Sequence, residues 1–240
     1  MQFADNQLGT GDKSVAFLMK KLDAIVFDFD GTLADVPLDL EFMKTKIAAL
    51  GEVFLEERPT PGPTPALEWL EELVQEALKW DEAEGKEFRT RGHLVITAME
   101  LDAARDGKLF DFTKPTFELL RERDIPTGVI TRNISAAVRV VFPEIEEMTQ
   151  AFIPRESATK VKPDPAHLVQ ALDCIGVAPQ NSLMVGDHPI DVETAIKAGA
   201  LSAAVTSGNI DAKGFAHLSP DFIANNVGEL MTQLEEQGLL

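Results

Sequence analysis

Two rhythms of apolar and polar positions alternate along the chain. Short, nearly unbroken apolar runs occupy residues 24–27, 126–131, 151–156, 182–187 and 201–207, with a shorter one at 221–224. Runs of this length, bounded by polar or turn residues, predict strands buried on both faces. Between them, residues 113–123, 133–141, 165–175 and 189–198 carry apolar side chains at helical spacing. Strands too apolar to keep a wet face, alternating with amphipathic helices, predict an α/β fold: a doubly wound parallel sheet with helices on both sides. Ligands in such folds gather beyond the carboxyl ends of the strands.

Residues 36–110 break the alternation. No convincing strand occurs there, and three helical patterns run near residues 38–50, 65–80 and 84–105. The segment RPTPGPTP (residues 58–65) separates the first two. The expected division is therefore a tail at residues 1–20, a Rossmann-like core at 21–35 and 111–240, and an inserted all-helical cap at 36–110. Cap movement is expected about hinges near residues 33–37 and 110–114.

The first strand ends in IVFDFDGTL, residues 25–33. Side chains repeat every second residue along a strand, so Asp28 and Asp30 leave on the same side. Gly31 follows at once, where the backbone must turn sharply. Two crowded carboxylates repel unless a positive charge joins them, and oxygen-only ligation favours Mg²⁺. A solvated strand-to-loop turn would read the same way if this motif stood alone.

The formal charge of −18 opposes a nucleic-acid partner. It permits a small anionic substrate only where positive charge is concentrated locally. No apolar run approaches the roughly 20 residues that span a bilayer, and the amino-terminal segment lacks a secretory pattern. The single cysteine, Cys174, allows no intrachain disulfide and is expected to be a small core residue. A soluble cytoplasmic protein, monomeric or homodimeric, is expected.

Three later strand ends complete a constellation. Thr131 closes the second strand, ahead of Arg132 and Asn133; its hydroxyl suits either a phosphate oxygen or the cap of the next helix. Lys162 precedes Pro163 in KVKPDP, which restricts its backbone, although a lone lysine is most often solvated. The segment VGDHPID places Asp187 at a strand end and Asp191 in the first turn of a helix.

DFDGTL, the Thr131 strand end, Lys162 and GDHPID, in that order, resemble the four motifs of the haloacid dehalogenase superfamily. The resemblance runs from about residue 21 to the last strand and is closest to the branch typified by phosphoglycolate phosphatase. It implies Asp28 as nucleophile, Asp30 as general acid and base, and Thr131, Arg132 and Lys162 around the phosphate. It further implies Mg²⁺ held by Asp28, the Asp30 backbone and Asp187, with Asp191 in support. The implied activity is Mg²⁺-dependent hydrolysis of a small phosphorylated metabolite through an aspartyl-phosphate. A sugar phosphomutase of the same superfamily and a non-catalytic metabolite-binding protein are the alternatives. Asp30 favours a phosphoester substrate, because dehalogenases need no leaving-group acid at that position. Arg58, Arg89, Arg91 and His93 are cap candidates for touching the leaving group, each weighed against pairing with neighbouring glutamates. His188 is expected to lie outside the metal's ligand set.

Overall fold

The computed structural model describes residues 21–240; the expected tail at 1–20 lies outside the described residues. In chain order the elements are β1 (Ala24–Phe27), β2 (Ala34–Asp35), α1 (Leu40–Gly51), α2 (Ala66–Trp80), α3 (Glu82–Asp106) and β3 (Lys108–Leu109). Then follow α4 (Thr113–Glu122), β4 (Thr127–Ile130), α5 (Ser135–Val141), α6 (Ile145–Met148), β5 (Ala151–Ile153) and α7 (Ala166–Ile175). The chain ends in β6 (Ser182–Gly186), α8 (Pro189–Ala198), β7 (Leu201–Val205), β8 (Phe222–Ala224) and α9 (Val227–Glu236).

Six strands form one parallel sheet in the order β5-β4-β1-β6-β7-β8. Every residue of β1, β4 and β6 is buried, as their unbroken apolar runs require. Alternation along β1 sorts its side chains between two cores. Ile25 and Phe27 join Phe117 of α4 and Leu230 and Leu234 of α9, whereas Ala24 and Val26 join Leu168 and Leu172 of α7 and Ala195 of α8. The sheet is thus helix-covered on both faces, the doubly wound arrangement expected from the pattern. The winding direction reverses between β1 and β6, and the crevice beyond their carboxyl ends is where ligands gather in such sheets.

Helices α1–α3 enclose a separate apolar cluster that includes Met43, Ile47, Trp69, Leu70, Phe88 and Ile96. The block is not wholly helical. Strand β3 pairs antiparallel with β2, matching Ala34 to Leu109 and Asp35 to Lys108. Two-residue strands carry no readable period, which is why the pattern shows none there. Thr113 Oγ1 donates to the Leu33 carbonyl at 2.5 Å and the Phe110 N–H to the same carbonyl at 3.1 Å, so the two expected hinge segments are stitched together.

Cys174 is exposed, contrary to the expected core position. The buried stripe of α7 is His167, Leu168, Ala171 and Leu172. At about 100° per residue, Cys174 falls roughly 90° from the middle of that stripe. Among the described residues no helix is long and apolar enough to cross a membrane.

Candidate active site

The carboxyl ends of β1 and β6 bring three carboxylates together. One oxygen each of Asp28, Asp187 and Asp191 lies within 4.8 Å of the others. Asp28 extends the β1–β6 ladder by donating its N–H to the Val185 carbonyl at 2.8 Å, which fixes its backbone at the switch point. Asp191 sits in the first turn of α8 and accepts from the His188 N–H at 3.0 Å. His188 caps the same helix with its own ring.

Lys162, from the loop before α7, reaches into this cluster. Its ammonium stands 2.6 Å from Asp28 Oδ1 and 2.6 Å from Asp191 Oδ1, at only 1% side-chain exposure. Burial pulls its pKa down, but Asp191 and Asp28 outweigh that, so the ammonium is held charged above its ordinary range. The Lys162 backbone is fixed by His167, whose Nδ1 accepts from the Lys162 N–H at 3.2 Å. His167 Nε2 faces the Ile153 carbonyl at 2.9 Å. A carbonyl can only accept, so Nε2 carries the proton and the ring is neutral. Burial pushes the His167 pKa down to about 4.

One ammonium does not balance three carboxylates. Burial, and then the charges of Asp28 and Asp191, push Asp187 up to about 8. The donor set is all oxygen and its excess charge is negative, which fits a hard divalent cation such as Mg²⁺. Two glycines make room for Asp187. A Cβ at Gly31, whose φ is +78°, or at Gly208 would overlap Asp187 Oδ2.

Asp30 points into a different environment. Asn133 Nδ2 donates to its two oxygens at 3.1 and 3.3 Å, and Thr131 Oγ1 donates to Oδ2 at 3.3 Å. Desolvation and the nearby Asp28 charge raise its pKa to about 7, against the lowering effect of the Asn133 hydrogen bond. Two aspartates separated by one residue thus differ in chemistry. Asp28 faces the Lys162 ammonium, whereas Asp30 faces the neutral donors Asn133 and Thr131.

The structure brings Asp28, Asp30, Thr131, Lys162, Asp187 and Asp191 to one crevice. Arg132 instead turns toward the helical block, where its guanidinium pairs with Glu68 of α2. The cap candidates are likewise paired: Arg58 with Glu52 at 2.9 Å, Arg89 with Glu71 at 2.9 Å, Arg91 with Glu87 at 2.6 Å and His93 with Glu71 at 3.3 Å. Several contributors were not singled out from the sequence. Thr32 Oγ1 lies 3.4 Å from Asp187 Oδ1, Ser207 Oγ donates to the Gly31 carbonyl at 2.7 Å, and Arg155 joins Glu100 of α3 to the loop after β4. Only the Ser207–Gly208 pair had a local signal, a small flexible dipeptide at a strand end.

Known proteins share both sequence and shape with this chain. Phosphoglycolate phosphatase 1 of Pseudomonas aeruginosa is 28% identical over 220 residues, covering 86% of this chain and 78% of the relative. The phosphoglycolate phosphatase of Escherichia coli O157:H7 is 26% identical over 235 residues, covering 88% and 91% respectively. A haloacid dehalogenase-like family hydrolase from Streptococcus pneumoniae shares the fold at a TM-score of 0.60 and 20% identity, over 89% of this chain and 98% of that one. The family profile described as haloacid dehalogenase-like hydrolase matches residues 22–199, most of the chain, with Asp28, Asp30, Thr131, Lys162, Asp187 and Asp191 inside the match. The chain belongs to the haloacid dehalogenase-like hydrolase family.

Proposed function

We propose that this phosphatase cleaves a small phosphorylated metabolite, of the phosphoglycolate or sugar-phosphate type, through an aspartyl-phosphate on Asp28 with Mg²⁺ bound. The observation that carries the reading is the opposed setting of the two aspartates. Asp28 is buried against Lys162 at 2.6 Å, and Asp30 is held by Asn133 and Thr131. The names of the relatives support the same class of substrate.

In this mechanism an Asp28 oxygen attacks phosphorus in line with the departing ester oxygen. Protonated Asp30 gives its proton to that oxygen, and the alcohol leaves. The Asp30 carboxylate then takes a proton from water as the water attacks the phosphorus of the aspartyl-phosphate, which frees Asp28 and inorganic phosphate. Lys162 and the Thr131 hydroxyl bind phosphoryl oxygens. Arg132 joins them only by exchanging Glu68 for the substrate. Asp28, Asp187 and the Asp30 backbone carbonyl would hold Mg²⁺, with Asp191 in support. When bound, the cation supplies the positive field that offsets repulsion between a carboxylate and a phosphate dianion.

The helices of residues 36–110 serve as a cap that selects the leaving group. The chain acts in the cytoplasm, a compartment that suits a sequence with no cysteine pair. Phosphate release from a panel of phosphoglycolate, glycerol phosphate and sugar phosphates tests the reading. Activity should vanish with EDTA and return with Mg²⁺. Turnover that ignores EDTA would sink the metal role, isomerised sugar phosphate without free phosphate would mean a mutase, and binding without turnover would mean a sensor.

A further inference from the structure

Asp30 is held by the loop after β4, and Arg155 holds that loop. Thr131 and Asn133 supply the side-chain donors to Asp30, and their backbone has a separate brace. Arg155 Nη1 donates to the Arg132 carbonyl at 2.6 Å, and the Arg155 N–H donates to the Asn133 carbonyl at 3.1 Å. The guanidinium is shared with the cap. Its Nη2 donates to Glu100 Oε2 at 2.8 Å, while Nη1 reaches Oε1 to complete a two-pronged pair. Glu100 lies on α3 and is 4% exposed. A carboxylate so deeply buried depends on its guanidinium partner. One side chain therefore joins a cap helix to the Arg132–Asn133 peptide unit.

Building on the phosphatase reading, we propose that Glu100 and Arg155 are positioning residues that align Asp30 with the leaving group while α3 is seated on the core. Neither touches a reacting atom. When α3 lifts, Arg155 loses its counter-ion and its guanidinium returns to water, which removes the donor from the Arg132 carbonyl. The loop then slackens, and with it the two donors that aim Asp30. Proton delivery is thereby tied to the closed arrangement that excludes bulk water.

Glue that merely joined cap to core would affect all substrates alike, so leaving-group dependence separates the two roles. An alkyl phosphate expels a strongly basic alkoxide and needs the proton, whereas p-nitrophenyl phosphate expels a weak base and needs it far less. The value of kcat/KM covers steps only up to leaving-group expulsion, so hydrolysis of the intermediate does not enter. Two variants are compared with the wild type: Glu100→Gln, and the double change Glu100→Leu with Arg155→Leu, which leaves no orphaned charge. On the alkyl phosphate the wild type turns over fastest, kcat/KM should fall at least about tenfold in both. On p-nitrophenyl phosphate it should change by less than about threefold. Equal losses on the two esters, or no loss on either, overturn the proposal. If Glu100→Gln does not fold, the double variant decides. A wild type that releases phosphate from neither ester refutes the phosphatase reading and the positioning role together; an active wild type with equal variant losses refutes the positioning role alone.

Discussion

The crevice has two walls of different construction. The core wall is set by strand ends: Asp28, Thr131 and Asp187 each follow the last residues of a buried strand, and Lys162, 1% exposed, pairs with Asp28. The cap wall is carried by side chains of α2 and α3 that reach across to core arginines, as in Glu68–Arg132 and Glu100–Arg155. Backbone ladders fix the first wall to within a hydrogen bond. The second depends on long, rotatable side chains with one acidic partner each. The groups proposed to make and break bonds thus sit on the rigid side, and the ion pairs proposed to position them sit on the adaptable one.

The largest expected break in this contrast is Asp28→Asn. Turnover of p-nitrophenyl phosphate should fall by at least about 10³-fold while the thermal midpoint stays near wild type, because the core wall remains packed. Comparable activity in that variant would remove the nucleophile from the core side.

Gly208→Ala presses on the same wall through packing alone. The added methyl displaces Asp187, so the Mg²⁺ concentration for half-maximal activity should rise about 10- to 100-fold. A metal titration of initial rates checks this; an unchanged midpoint would show that Asp187 is not a ligand.

His167 tests how the core wall fails in acid. Its folded pKa of about 4 lies below the ordinary 6.5, so the unfolded chain binds the proton more readily. Stability owed to neutral His167 is present above about pH 6.5 and is lost as pH falls toward 4, by roughly 3 kcal/mol. Urea unfolding of wild type and His167→Gln at pH 7 and pH 4.5 should show the gap between them shrinking by a similar amount. A gap that stays constant would place the proton elsewhere.

The smallest effect belongs to the partly buried pair of Glu68 with Arg132. Glu68→Gln should shift KM by less than about threefold and stability by at most about 1 kcal/mol, since glutamine keeps an acceptor for Arg132 and Glu68 stays in reach of water. A KM change beyond tenfold would make Glu68 a direct specificity element.

Much of the core wall was legible because its physics is local. Continuous apolar runs locate β1, β4 and β6 to within a residue or two; Asp28 and Asp187 stand directly at the ends of β1 and β6, with Asp30 and Asp191 a few residues beyond. Lys162 was readable only in company, since nothing local distinguishes a buried lysine from a solvated one. The cap wall was largely hidden. Glu100 and Arg155 are 55 residues apart and carry no shared pattern. Arg132 was placed near phosphate from its neighbour Thr131, while its guanidinium follows a glutamate 64 positions away. Cys174 sits at the edge of an apolar stripe, where spacing cannot decide exposure. Helix α9 was not among the expected elements, although Val227, Leu230, Met231 and Leu234 follow helical spacing.

The two-residue ladder of β2 and β3 makes the helical block a portable part. Its incoming and outgoing strands are hydrogen-bonded neighbours, about 5 Å apart at paired Cα positions. Whatever is spliced between Asp35 and Lys108 therefore meets a socket whose width is set by one pair of peptide bonds. A different insert with adjacent ends could be grafted there without altering the register of the six-stranded sheet. Under the proposed function, leaving-group preference would travel with the graft, and the phosphoryl chemistry would stay behind.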